Sequence, residues 1–286
     1  NGGTVTIADS LTVGQSGAIG NYNIDGGTLN SNGDTIVGLN GSGGTMTATG
    51  GVVNIGNGGS DSFDIGLRNS GNESTTGTAD FSGASSTNID VDNLRVGSNA
   101  TGSSGGASVS GELTLSDAGT NTIVANAIRL GHIDGGNVGN TNGTINFGGA
   151  ANNVSADLFT VGSDKGTGTV TILAGGTLTL DGTSGAEADL FIGNNGSSGT
   201  GTNPALSVMD LGGGTFDATL DEVVIGRYAG SGSGSGKGTL TIADGTRTAN
   251  SVTLGQVGGG AANPLNTVGT LNIQGGSTTV NADMTI

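Results

Sequence analysis

Residues 168–193 read GTVTILAGGTLTLDGTSGAEADLFIG. Val170 and Ile172, Leu178 and Leu180, and Leu190 and Ile192 each flank a single residue. That period of two is the pattern of a strand with one buried face. Thr169, Thr171, Thr177 and Thr179 take the opposite face, where β-branched side chains suit an exposed pleat. Gly175, Gly176, Gly182 and Gly185 fall between the apolar runs, where glycine permits the positive φ of a tight bend. The stretch therefore predicts three short strands joined by bends, the last ending at Gly193.

The same ending recurs along the chain: apolar, variable, apolar, glycine. Its copies are 11–14, 35–38, 63–66, 94–97, 128–131, 159–162, 190–193, 223–226 and 252–255, and Met284-Thr285-Ile286 begins another. Successive anchor glycines lie 24, 28, 31, 34, 31, 31, 33 and 29 residues apart. Order is kept while length varies, as expected of one structural unit per repeat with insertions between fixed strands. The residue before the glycine is apolar in every copy, and so is the first residue except at Thr35. The residue between them ranges from Asp64 and Arg95 to Phe191 and Val224, and the alternation predicts that it faces outward.

A second strand, with Thr outward and an apolar residue inward, precedes the anchors. It is read at 4–7, 45–48, 144–147, 169–172, 239–242 and 270–273, and more weakly near Thr28, Thr78, Ser108 and Ala205. A third short strand lies between these two at 177–180, 215–218 and 278–280. Three strands per repeat predict a triangular rung. One rung cannot bury its inward side chains or pair its backbone, so rungs must stack about 4.8 Å apart. The expected fold is all-β: a parallel β-helix, or β-solenoid, of about ten three-strand rungs, about 45–50 Å long on that spacing. Residues 1–286 are read as a single domain with no evident end caps.

Composition fits this reading. The chain holds 62 glycines but 2 prolines, which excludes collagen. The 32% of apolar residues are regularly spaced, unlike those of a disordered chain. A net charge of −16, from 23 acidic and 7 basic residues, argues against nucleic acid as a partner. No apolar run approaches the length of a membrane-spanning helix, so no membrane insertion is expected. There is no cysteine, hence no disulfide or thiolate metal site.

The unit Gly-Thr-Leu-Thr-Ile, Gly-Gly-Thr, Leu-x-Val-Gly, followed by a Gly/Ser/Asn loop, is clearest at 168–193 and 238–255. It resembles the repeat of autotransporter (type V secretion) passengers and of PEP-CTERM-associated exported proteins. The resemblance implies export to the bacterial surface or matrix and no shared catalytic residues.

Four groups of residues are candidates for a function. Asp9, Asp61, Asp92, Asn126, Asp157, Asp221 and Asn250 stand five positions before an anchor glycine. Stacked carboxylates repel, and Ca²⁺ is the cation that would relieve them. Asp and Asn also suit turns by accepting from nearby backbone N–H groups, which is the reading preferred. The outward Thr residues at 4, 28, 45, 78, 144, 169, 239 and 270 resemble ice-binding ladders, but their partner column mixes Thr with Asn and Asp. Loops at 98–106, 132–143, 194–204 and 227–238 are expected to protrude. His132, the only histidine, is placed in one of those loops without a partner. No catalytic, cofactor-binding or metal residues are assigned, and the chain is not expected to be an enzyme. Arg95 and Arg129 beside Asp64 are read as exposed pairs worth under about 1 kcal/mol each.

Self-assembly is assigned to the ends: Asn1, Gly2, Gly3, Thr4, Val5 and Ile7 at one, Met284, Thr285 and Ile286 at the other. Placing Ile286 before Asn1 of a second copy nearly restores the repeat. The expected function is a structural fibre, a surface filament or biofilm matrix, that grows head to tail as a homopolymer. Extracellular polysaccharide is a second partner class. The alternative readings are a stalk of an autotransporter-like adhesin and, less favoured, a polysaccharide-acting enzyme.

Overall fold

The computed structural model describes residues 2–100, 107–133, 140–196, 206–230, 235–258 and 266–286. One circuit comprises β1 (Thr4–Ile7), β2 (Leu11–Gln15) and β3 (Gly20–Ile24), and the next β4 (Thr28–Ser31), β5 (Thr35–Leu39) and β6 (Gly43–Ala48). A third comprises β7 (Val52–Gly56), β8 (Ser62–Arg68) and β9 (Thr75–Asp80). Then follow β10 (Ser86–Asn99), β11 (Val109–Thr114), β12 (Asn121–Ile133), β13 (Thr141–Phe147), β14 (Ala151–Ser163) and β15 (Thr167–Ile172). The chain continues through β16 (Thr177–Asp181), β17 (Ala188–Asn195), β18 (Ser207–Tyr228), β19 (Lys237–Asp244), β20 (Thr246–Val257), β21 (Val268–Ile273) and β22 (Ser277–Thr285).

Every pairing is parallel and joins a strand to its equivalent one circuit on. The first face stacks β1, β4, β7, β10, β12, β14, β16, β18, β20 and β22. The second face stacks β2, β5, β8, β10, β12, β14 and β17, then β18, β20 and β22. The third runs from β3 through β6, β9, β11, β13, β15, β18 and β19 to β21. The parallel β-solenoid is therefore present. Counted in strands it differs from ten separate three-strand rungs: 22 strands amount to about seven such turns. The cause is that β10, β12, β14, β18, β20 and β22 run unbroken from the first face onto the second.

The anchor column is in register. Val13, Val37, Ile65, Val96, Leu130, Val161, Ile192, Ile225 and Leu254 stack in that order. Val37 through Ile225 in this column are fully buried in one continuous apolar core. Thr35, the polar exception at an inward position, shares a hydrogen bond of 2.8 Å with Ser31, and both hydroxyls lie inside.

The anchor glycines have two jobs. All nine adopt positive φ, from +57° to +79°, a region costly for residues with a Cβ. Eight of them also touch the next circuit of the third face so closely that a Cβ would meet an atom there at 1.9 to 2.3 Å. The contact is mostly to a backbone carbonyl, and the residue after it forms a glycine column of its own, also close to the anchor glycines: Gly44, Gly77, Gly111, Gly143, Gly168, Gly238 and Gly269. Where that column reaches β18 the residue is Ser207, whose Oγ accepts the Gly168 N–H at 3.3 Å. Two backbones thus interlock along the edge between the second and third faces.

The Thr strands need correction. β1 and β4 belong to the first face, stacked under Val52, whereas 45–48 and its kin form the third face. The single ladder expected from Thr4 to Thr270 is two ladders on different faces. On the third, Thr45, Thr78, Glu112, Thr144, Thr169, Val208, Thr239 and Thr270 stand in register.

Candidate functional site

The Asp/Asn column occupies the corner between the first and second faces, and five of its seven side chains bond one another or a neighbouring residue. Asp92 Oδ1 accepts from Asn126 Nδ2 at 2.5 Å, and Asp92 Oδ2 from Asn93 Nδ2 at 2.5 Å. Asp157 Oδ1 accepts the Thr183 N–H at 2.8 Å and its hydroxyl at 2.5 Å. Asn250 Nδ2 donates to Asp221 Oδ1 at 3.0 Å. In the β17 circuit the corner holds Asp189, whose Oδ1 accepts the Glu222 N–H at 3.2 Å. Burial pushes the Asp189 carboxyl up, the Glu222 hydrogen bond opposes this, and Asp221 and Asp157 add to the rise. Among the described residues no three acidic or histidine side chains come together as a metal-ligand set.

The middle column of the anchor strand is less exposed than its alternation implies. Asp64, Thr160 and Val224 are buried. Arg95, one circuit on from Asp64, folds back over it: Nε reaches Oδ1 at 2.5 Å and Nη2 reaches Oδ2 at 2.8 Å. The carboxylate side is 3% exposed and the guanidinium side 28%. The expectation of exposed pairs is thus corrected to one half-buried, two-pronged ion pair. Burial raises the Asp64 pKa, the hydrogen bond and charge of Arg95 work against that rise, and Asp34 reinforces it.

His132 is not in a loop. It lies on β12, above Ser98, and its Nδ1 shares a hydrogen bond with Ser163 Oγ on β14. Strand structure continues past the anchor glycine into Asn99, Ile133, Asn195 and Tyr228, all buried. The rest of each predicted loop includes 101–106, 134–139, 197–204 or 231–234, which lie outside the described residues.

Sequence reasoning missed several polar side chains in the interior. Asn121 and Asn152 stack on the inward column of the first face, below Leu178. Asn121 Nδ2 donates to Asn152 Oδ1 at 2.8 Å and to the Ser116 carbonyl at 2.9 Å. Asn152 Nδ2 donates to the carbonyls of Gly148, Ala150 and Thr177, each at 3.1 Å. The amides thereby supply the backbone partners that a sharp corner lacks. Arg68 and Arg247 are also buried, and burial lowers the pKa of both. Arg247 donates to the carbonyls of Asp244 at 2.7 Å and Gly275 at 3.1 Å. The cue in sequence is faint: an arginine where the preceding circuit has Ala218.

The two ends of the coil present the predicted assembly residues. Gly2, Gly3, Thr4, Thr285 and Ile286 are exposed and Ile7 is partly covered; Asn1 lies outside the described residues. Val5 is 51% exposed, Met284 53% and Ile286 90%. Ile19 joins Val5 at one end, and Val257, Val268 and Ile273 join Met284 at the other. Continuation from Ile286 into a second copy does not simply restore the order: β22 finishes on the second face and β1 starts on the first. A third-face strand would be missing at that junction. Among the described residues no helix is long and apolar enough to cross a membrane. No protein-family model, curated protein or solved structure matches this chain.

Proposed function

We propose that the chain is a structural rod, an extracellular bacterial fibre or matrix element whose coil is lengthened by stacking a second copy on its end faces. One observation carries the reading: both ends expose apolar core residues beside parallel strand edges with no partner among the described residues. Such edges are templates for further strands, and a head-to-tail contact that does not close grows a filament. The repeat's resemblance to exported surface proteins agrees with a place outside the cell.

Electron microscopy and light scattering on the purified 286-residue chain test this directly. Thin filaments that lengthen with concentration are expected. Val5→Lys and Ile273→Lys, which place charge on the inward columns at opposite ends, should each leave short rods with unchanged circular dichroism. Short monomeric rods of the unaltered chain at high concentration would overturn the proposal and assign both faces to further turns of a longer polypeptide, the stalk arrangement.

A further inference from the structure

The outward column of the second face reads Asp64, Arg95, Arg129, Thr160 and Phe191 in successive circuits. Two cations are adjacent there, at strand spacing, where like charges destabilise each other. Asp64 neutralises Arg95. Arg129 has no such partner: its Nη1 donates to the neutral Asn93 Oδ1 at 2.8 Å, and it makes no ion pair among the described residues. Arg68 and Arg247 also lack an ion pair among the described residues but are sealed inside, whereas Arg129 is partly exposed.

Arg129 lines an open groove of about 220 Å³. Thr160, Phe191 and Asn194 line it beside Arg129, with the hydrogen-bonded pair His132 and Ser163 at one side. Asp164 also lines it, its Oδ1 turned to the Gly196 N–H at 3.2 Å. Phe191 is partly exposed and offers a flat apolar surface. A guanidinium with unused N–H groups favours a carboxylate held by two parallel bonds. Phe191, two circuits on from Arg129 and about 9.6 Å along the column, suits the C–H face of a sugar, and Asn194 can bond hydroxyls. The geometry points to a binding site for a carboxylate-bearing sugar, a uronic acid unit, with Arg129 holding the carboxylate and Phe191 the ring.

Calorimetric titration of the full chain with sodium galacturonate at low ionic strength tests the site, with galactose and acetate as reference probes. Saturable binding of galacturonate is expected, at least tenfold tighter than either reference. Arg129→Gln should weaken it about ten- to hundredfold, the range for a hydrogen bond to a charged group, and Phe191→Ala should weaken galacturonate but not acetate. Circular dichroism of each variant should match the unaltered chain, since both side chains point outward. No saturable binding, equal binding of acetate or galactose, or an Arg129→Gln variant of unchanged affinity would each overturn the assignment.

Discussion

Gly97→Ala adds one methyl group at the interlocked edge, and its cost can be worked from the structure. The residue sits at φ +65°. Alanine in that region costs about 1–2 kcal/mol. The new Cβ would stand 1.9 Å from the Asn142 carbonyl oxygen and 2.5 Å from its carbon. That carbonyl cannot easily retreat, because β13 is bonded to β11 on one side and β15 on the other. Forcing an extra carbon into a packed site adds about 1–3 kcal/mol, for about 2–5 kcal/mol in total. Gly175 is the control: its φ is +84°, and nothing lies within 4 Å of the added Cβ. Gly175→Ala should cost the backbone share alone, about 1–2 kcal/mol. Urea unfolding of both variants, followed by circular dichroism, measures the difference. Equal destabilisation within about 0.5 kcal/mol would refute the close-approach account of the anchor column and leave φ as its sole cause.

Two further outcomes follow from the buried polar groups. Asn152→Ala removes the partner of the Gly148 N–H and of three carbonyls, and should cost about 2–4 kcal/mol in the same unfolding assay; a loss under about 0.5 kcal/mol would mean the corner does not depend on the amide. Arg95→Met strands the Asp64 carboxylate and should cost about 3 kcal/mol at pH 7. Because the folded Asp64 pKa lies above its ordinary 3.8, the fold binds the proton more tightly than the unfolded chain. Losing Arg95 removes the two contributions that oppose the rise, so the variant's folded Asp64 pKa lies above that of the unaltered protein. Its deficit should therefore be full above the variant's pKa and shrink as pH falls through it toward the unaltered protein's folded value, and a deficit independent of pH would show that Asp64 is not the group left unpaired.

The anchor strands were legible because Leu190, Ile192 and Gly193 have eight close copies, and a period of two with a fixed glycine is a local signal. The assignment of strands to faces was not. Thr4–Ile7 and Thr45–Ala48 share one alternation, yet they lie on different faces. Alternation tells which residues point inward, not which wall they build; only their distance from the next anchor, ten residues for Thr4 and 21 for Thr45, separates them. Asp64 and Asn152 went unread for a related reason. Their burial is imposed by Arg95 one circuit on and by the corner at Gly148, contacts that exist only once the register is set. His132 was misplaced because glycine-rich sequence follows it, although the strand runs one residue further, to Ile133.

The parallel ladders that join successive circuits have a mechanical consequence. Their hydrogen bonds point along the rod, so a pull on its ends falls on them directly and loads the outermost circuit first. Peeling one circuit, typically 31 residues between anchors, releases about 100 Å of extended chain in place of the about 4.8 Å it occupied. Such a strand would yield in steps under tension, lengthening about twentyfold per circuit lost while the remaining coil stays folded.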